Sequence, residues 1–485
     1  MTKLNLIVRF GLILLGVIFL FTGFCLNEGI FIFYSLLIQL FHNILYGLEH
    51  FHKRSIFLIF NVTFFIFLIG RLFVTYFFNY KNEAEILGLN FNDQQIIQMV
   101  FIIIYISLLS LFIGFSINNK SLNQYFNVQN ITIQNVDSIR LASLVIFLIS
   151  FVMRILYWID AIKSSNSVGY YEYFSNFESS LPGGAVAISR MMPVSFFMYL
   201  STLPKRKSLY FPVFLYLIEG MVAMLTGSRS GFMLNLLIIL IYMIMRSYRN
   251  KKVCGKYWFG KTSIFLSIIL VPFLLILLNL VEIKRNKNIN VTEGFWNSLL
   301  EFFYAQGVSV NVIGYTISLS EQIPNKTYSI GPIIEFIKYN ILGTLFGSQG
   351  AWKGQSIERA MEGYQYTHTI SYLIMPDLYL KGVGYGSSYV AELFHDLGFI
   401  GLIIGGILTG YLIQVFSKMM GSKNFYLIFL SLIITRSLFF IPRASWVAYV
   451  VDTFTPINII SFIVIIIFST ILSKFMDNAK IGRRN

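Results

Sequence analysis

Stretches of about 17 to 24 apolar residues recur along this chain, and a helix needs a run of that length to cross a bilayer. About twelve can be placed, near residues 7–26, 30–48, 55–78, 96–117, 141–160, 186–203, 209–226, 230–245, 262–281, 397–416, 425–441 and 455–474. The second is the least secure of them as a span, because it contains His42 and Asn43. Backbone N–H and C=O groups have no water to bond in lipid, so spanning segments are helices unless they close into a barrel. The alternation of a barrel strand is not seen. The expected fold is therefore all-α: a polytopic integral membrane protein with one long external loop.

Composition agrees. The 485 residues are 56% hydrophobic and 12% charged, with mean hydropathy +0.70. Soluble domains are about 25% charged, and this many Phe, Ile and Leu side chains would leave large apolar patches in water. Cys25 and Cys254 are too far apart in sequence to form a metal-ligand pattern or a disulfide framework. The first apolar run has no small-residue cleavage site, so it is expected to remain as a span.

Lys and Arg placement sets the expected orientation. Short basic clusters occur at Lys205-Arg206-Lys207, from Arg246 to Lys261, and in the tail from Lys474 to Arg484. Both termini are then cytoplasmic, and the net charge of +15 is mostly a topology signal rather than a nucleic-acid footprint. The segment of residues 282–386 becomes one long periplasmic loop, with short helices expected around Phe295–Ser318 and Ile330–Leu345. Loops of that length usually carry a function. No Pro/Ser-rich linker divides the chain, so residues 1–485 are treated as one membrane domain carrying this loop as a subdomain.

Charges inside the spans point to chemistry. Arg71, Arg154, Arg190 and Arg436 lie within roughly 10 Å of the outer ends of their helices. Each alone could snorkel to the interface. Together they suggest a shared anionic partner, because arginine in lipid is costly unless paired or facing a wet cavity. Glu219 can pair with one of them, Arg190 being the expected choice, and the spans hold no acid for the others. A lipid diphosphate would supply the missing charge, and the guanidinium fork suits phosphate oxygens. Three more arginines flank this layer: Arg229 in LTGSRSGF, Arg285 in VEIKRNK and Arg443 in FFIPRASW. Ordinary solvated charge is the alternative for each. Transfer from a sugar diphosphate also calls for a base on the acceptor hydroxyl. Glu392, His368, His395 and Asp396 are the candidates, against structural roles for all four. No D-x-D pair or His/Cys cluster stands in the external segments, so no metal or other cofactor is expected. Tyr364, Tyr366, Tyr389 and Trp352 could stack on sugars, although aromatics are also normal at membrane interfaces.

The segment HTISYLIMPDLYLKGVGYGSSYVAELFHDLGFIGLIIGGILTG resembles the bacterial O-antigen polysaccharide polymerase (Wzy) family. The matching residues are Gly384, Gly386, Ser387, Ser388, Tyr389, Ala391 and Glu392, then Asp396, Gly398 and Gly401. TGSRSG, EFFYAQGVSVNVIGY and the arginine of IPRAS follow the same resemblance. It covers the chain from about the sixth span onward; the first 140 residues look like generic membrane sequence. The resemblance implies metal-independent transfer, at the periplasmic face of the bacterial inner membrane, of a glycan from undecaprenyl diphosphate to a new lipid-linked repeat unit. The expected partners are that lipid-linked oligosaccharide, membrane lipid and a chain-length regulator protein. Glu392 and His368 are then the catalytic candidates, and Arg229, Arg443, Arg285, Arg190, Arg154, Arg436 and Tyr389 the substrate-binding ones. Competing readings are an O-antigen ligase and, outside enzymes, a lipid-linked oligosaccharide transporter or flippase. A transporter would be expected to show inverted repeats, and none is visible.

Overall fold

In a computed structural model the apolar runs fold as helices. The structure describes residues 3–81, 93–117, 136–169, 173, 177–255, 257–258, 294–339, 352 and 354–481. Among them every regular element is helical, and 11 helices are long and apolar enough to cross a membrane. These match the expected spans one for one, apart from residues 262–281, which lie outside the described residues. Arg285 lies outside them as well. The chain divides into two compact units. The first comprises residues 1–122, 268–417 and 438–448; the second comprises 123–267, 418–437 and 449–485.

In the first unit, Lys3–Leu26 and Gly29–Glu49 form a helical hairpin, followed by Phe51–Phe78 and Gln94–Ser116. Leu6, Phe10 and Phe21 stand exposed along the first helix, as on a surface solvated by lipid chains. Behind it, Phe33, Phe57, Phe60 and Leu108 are fully buried. His42 and Asn43, the polar residues of the second span, are buried too. Asn43 donates to Asn61 Oδ1 at 3.1 Å and to the Leu108 carbonyl at 3.1 Å, and Gln39 donates to Asn43 Oδ1 at 3.0 Å. One asparagine thus ties three helices together, which explains how this span tolerates it. Each such bond within a membrane is worth about 0.6 kcal/mol. Leucine at 43 would cost more, because it leaves buried Asn61 and Gln39 groups unpaired. Packing against the later part of the unit depends on small residues: a Cβ added at Gly114 would strike the Ile407 carbonyl, and one at Gly410 the Leu111 carbonyl.

The second unit holds Val136–Val168, Gly183–Ser201, Arg206–Met224, Ser230–Cys254, Phe425–Leu438 except its last residue, and Pro456–Ile481. Its core includes Phe196 stacked on Tyr216 at 4.0 Å. Several arginines that carry the topology signal are also structural. Arg140 donates to the Thr202 carbonyl at 3.0 Å, and Arg246 to the carbonyls of Leu203 and Pro204 at 3.2 and 2.8 Å. Arg249, which is buried, donates to the carbonyls of Met420 and Ser422 at 3.0 and 2.7 Å. These carbonyls lie at helix C-termini, where no intrahelical donor remains and the dipole favours a cation. The clustered positive charge is therefore partly a set of helix caps.

The long segment contributes the helices Phe295–Gln306, Ser309–Ser318 and Gly331–Tyr339, near the expected positions, then Ile357–Glu362, Tyr366–Ile374 and Pro376–Leu380.

Candidate functional site

The glycine-rich segment ends at Ser388, and the helix Tyr389–Met420 begins there. Gly386 has φ +86°, a conformation that a side chain would strain, and a Cβ there would lie 3.6 Å from the Arg443 carbonyl. The tight turn brings Ser387 over the first helical turn. Its hydroxyl donates to Glu392 Oε1 at 2.6 Å. Glu392 Oε2 accepts the Trp446 backbone N–H at 2.9 Å. The carboxylate is fully buried, so it fastens the glycine-rich segment to the IPRASW turn. The Trp446 indole N–H donates to Thr409 further along the same helix, at 2.8 Å.

Arg443 follows Pro442 in a short 3-10 turn and donates to the Gln306 carbonyl at 3.1 Å. Three segments far apart in sequence therefore meet: Gln306 of EFFYAQGVSV, the GVGYGSS turn and the IPRAS turn. Gln306 drew no attention by itself in the sequence, since only the folded chain shows what it holds. Arg71, one of the four intramembrane arginines read above as sharing an anionic partner, stacks on Tyr304 at 3.9 Å, two residues before Gln306.

His368 is half-buried on Tyr366–Ile374, with Nδ1 3.1 Å from the Tyr379 hydroxyl. Its Nε2 has no hydrogen-bond partner among the described residues. Burial, with the Arg359 guanidinium adding to it, pushes the imidazole down to about 3, so it is neutral at neutral pH. Ser371, on the same helix, accepts the Tyr385 N–H at 2.9 Å and so connects His368 to the glycine-rich segment.

The other aromatic and acidic candidates are built into the framework. Tyr389 is fully buried beside Phe60 and Phe64, its hydroxyl 3.0 Å from Ser107 Oγ, which leaves no ring face for a sugar. Asp396 accepts the backbone N–H groups of Tyr328 and Ser329 at 3.0 and 2.8 Å, and His395 lies 3.1 Å from it. Tyr366 is buried and bonds Thr316 at 2.7 Å. Tyr364 and Trp352 are partly exposed.

The second unit holds the remaining arginines. Glu219 pairs with Arg154 at 2.9 Å, not with Arg190 as expected, and the same oxygen accepts the Trp158 indole N–H at 2.8 Å. Helix 136–168 faces that carboxylate, whereas Arg190 ends the Gly183–Arg190 segment and is exposed. Arg436 donates to buried Asn235 at 2.8 Å, and Asp452 stands near it with a bond from Ser437. The expectation that Arg436 has no acid is therefore corrected: the last spanning helix starts earlier than hydropathy suggested and includes Asp452. Arg229 occupies the position just before Ser230–Cys254 without a side-chain cap, where Gly227 has φ +98° and the Thr226 carbonyl accepts from Ser165 at 3.0 Å. Among the described residues, no group of three or more His, Cys, Asp or Glu side chains converges as a metal site would.

A family model described as O-antigen polysaccharide polymerase Wzy matches residues 5–475. Neither the curated proteins nor the solved structures searched contain a match.

Proposed function

Since the chain belongs to the O-antigen polysaccharide polymerase Wzy family over nearly its whole length, we propose that it joins undecaprenyl-diphosphate-linked oligosaccharide repeat units into O-antigen or a related surface polysaccharide. The reaction takes place at the periplasmic face of the inner membrane. The observation that carries this reading further than the family match is the meeting of Gln306, Gly386 and Arg443 from three distant segments. It gathers the motif residues at one point.

In the proposed step, an acceptor hydroxyl oxygen bonds to the donor's anomeric carbon. The bond from that carbon to the diphosphate oxygen breaks, and its electron pair leaves with the diphosphate. The leaving group needs charge stabilisation, which arginines aimed at it can supply without a metal. Arg443 takes that role in the first unit. Arg229, Arg190 and Arg285 remain candidates for carrier binding; Arg154, paired with Glu219, and Arg436, bonded to Asn235, act on substrate only indirectly. The acceptor proton passes to a base. His368, whose Nε2 has no hydrogen-bond partner among the described residues, is the proposed base on position; burial keeps it neutral at neutral pH while lowering its basicity. Glu392 has both oxygens engaged, so its proposed task is to position the glycine-rich segment against the Arg443 turn. Residues 282–386 act as a periplasmic cover on a single membrane domain, and a chain-length regulator protein is the expected partner.

Deleting the gene in its host is expected to leave surface lipid capped by single repeat units, because flipping and ligation continue without polymerisation. A glycan ladder of unchanged length on a gel would contradict the assignment, and loss of even the single-unit caps would favour a ligase. The topology has its own test. Reporter fusions at Tyr328 and after residue 481 should give opposite signals, since the Lys/Arg bias puts the tail inside and the loop outside. Equal signals would refute this orientation.

A further inference from the structure

A cavity of about 420 Å³ opens beside Arg71 in the first unit. Its polar lining is Arg71, Thr75, Tyr76, Asn79 and Lys81, from the end of helix Phe51–Phe78 and just beyond, with Asn311 from Ser309–Ser318. Val100 and Phe101 of Gln94–Ser116 form an apolar wall. The described lining contains two cations and no acid. We propose that this cavity binds the diphosphate end of a polyprenyl-linked glycan. The inference rests on the polymerase reading and deepens it by adding a carrier site.

The local structure holds Arg71 in place. Helix Phe51–Phe78 contains a π-helical turn at Phe65–Ile69, immediately before Gly70 and Arg71. Such a turn inserts an extra residue and re-aims the side chains that follow it, and π-turns are frequent at functional sites. Gly307 permits the close approach: a Cβ there would lie 2.5 Å from the Arg71 backbone nitrogen. The guanidinium lies against the Tyr304 ring and so has little rotational freedom left to lose on binding. A fixed arginine, a lysine and the side-chain amides of Asn79 and Asn311, the latter also bonded to Tyr385, with no acid among the described lining residues, favour a multiply charged oxyanion. The volume falls within the roughly 300–1,000 Å³ of small-molecule sites, enough for a diphosphate and an attached sugar. The Val100 and Phe101 wall supplies an apolar surface for the first isoprene units. Asn311 also lies five residues after Gln306, the partner of Arg443, so one motif segment serves both this cavity and the motif cluster.

The test uses full-length protein in phosphatidylethanolamine nanodiscs and labelled undecaprenyl diphosphate. Lys81→Ala, Asn311→Ala and Arg71→Lys should each weaken binding by about tenfold or more, the loss expected for a charge-assisted hydrogen bond. Lys81 is exposed, so its variant should fold even if Arg71→Lys does not. A Thr75→Cys reporter, with Cys25 and Cys254 changed to serine, should be shielded from maleimide by undecaprenyl diphosphate. Phosphatidylglycerol at the same level should not shield it. Unchanged affinity in Lys81→Ala and Asn311→Ala would overturn the proposal, as would equal shielding by phosphatidylglycerol, which would mark a general anionic-lipid site. Shielding by inorganic pyrophosphate would support the diphosphate chemistry. Failure here leaves the polymerase reading intact if the deletion strain still lacks polymer, so the two fail separately.

Discussion

Glu392→Ala is expected to abolish polymer, whereas Glu392→Gln should keep most of it. The geometry at this carboxylate separates the two. Ser387 donates to one oxygen and the Trp446 backbone N–H to the other, in a fully buried setting. A glutamine can serve both partners, since its carbonyl accepts from Trp446 while its amide donates to the reversible Ser387 hydroxyl. Alanine serves neither. Each buried donor left unpaired costs about 1–3 kcal/mol, and the glycine-rich segment would be released from the Arg443 turn. A glutamate acting as the base would give a different pattern, with glutamine as inactive as alanine. His368→Ala, measured beside them with lipid-linked units in vitro, should slow elongation by about 10²–10⁴. The profile of kcat/KM against pH reports groups of the free enzyme. His368 is pushed down to about 3, so it becomes protonated, and unable to accept, only in strong acid. No acidic limb from this residue should appear near 6.5. A limb there that vanishes in His368→Ala would show that the imidazole is not held neutral. An inactive Glu392→Gln at normal protein level would restore Glu392 as the base.

The spans were legible because bilayer thickness dictates their length and lipid dictates their composition. His42 and Asn43 made the second span look doubtful because the partners of Asn43, Asn61 and the Leu108 carbonyl, lie on other helices, while His42 leans on Asn43 itself. The same limit governs the charges. A count of intramembrane acids could offer Glu219 a partner but could not choose Arg154 over Arg190, since that depends on which helix faces face each other. Asp452 was missed because a hydropathy window trims polar ends, and the helix runs past the window. Arg246 and Arg249 looked like solvated topology signals and turn out to cap helix ends, a contact between segments up to 173 positions apart. In the candidate site, the glycine-rich turn and the arginine of IPRAS were visible as motifs. That Glu392 joins them was not, because the second partner is a backbone N–H, which any residue at 446 but proline would provide. The π-turn that precedes Arg71 leaves no compositional trace in FIFLIGR at all.

Arg443→Lys is expected to lose polymer nearly as completely as Arg443→Ala, with the protein still present in the membrane. Arg443 is held by a bond from Nη1 to the Gln306 carbonyl, and its own carbonyl lies beside Gly386. The planar guanidinium can keep that anchor on one edge while presenting other N–H groups to a phosphate. Lysine has a single ammonium on a flexible stem, which must either hold Gln306 or meet the diphosphate. Removing one preorganised charge donor from a developing anion costs about 10²–10³ in rate. Gln306→Ala provides the comparison: it keeps the backbone-carbonyl anchor and the charge and removes only the longer contact of Arg443 with Gln306 Oε1 at 3.4 Å, so it should slow elongation less than either Arg443 substitution. On the proposed mechanism the same purified enzyme should elongate lipid-linked units in the presence of a chelator, since guanidinium groups would meet the charge on the leaving diphosphate. Activity lost in chelator and restored by a divalent ion would transfer that role to a metal. Full-length polymer from Arg443→Lys would reduce Arg443 to a contributor of general positive field, because a point charge would then serve as well as a fork.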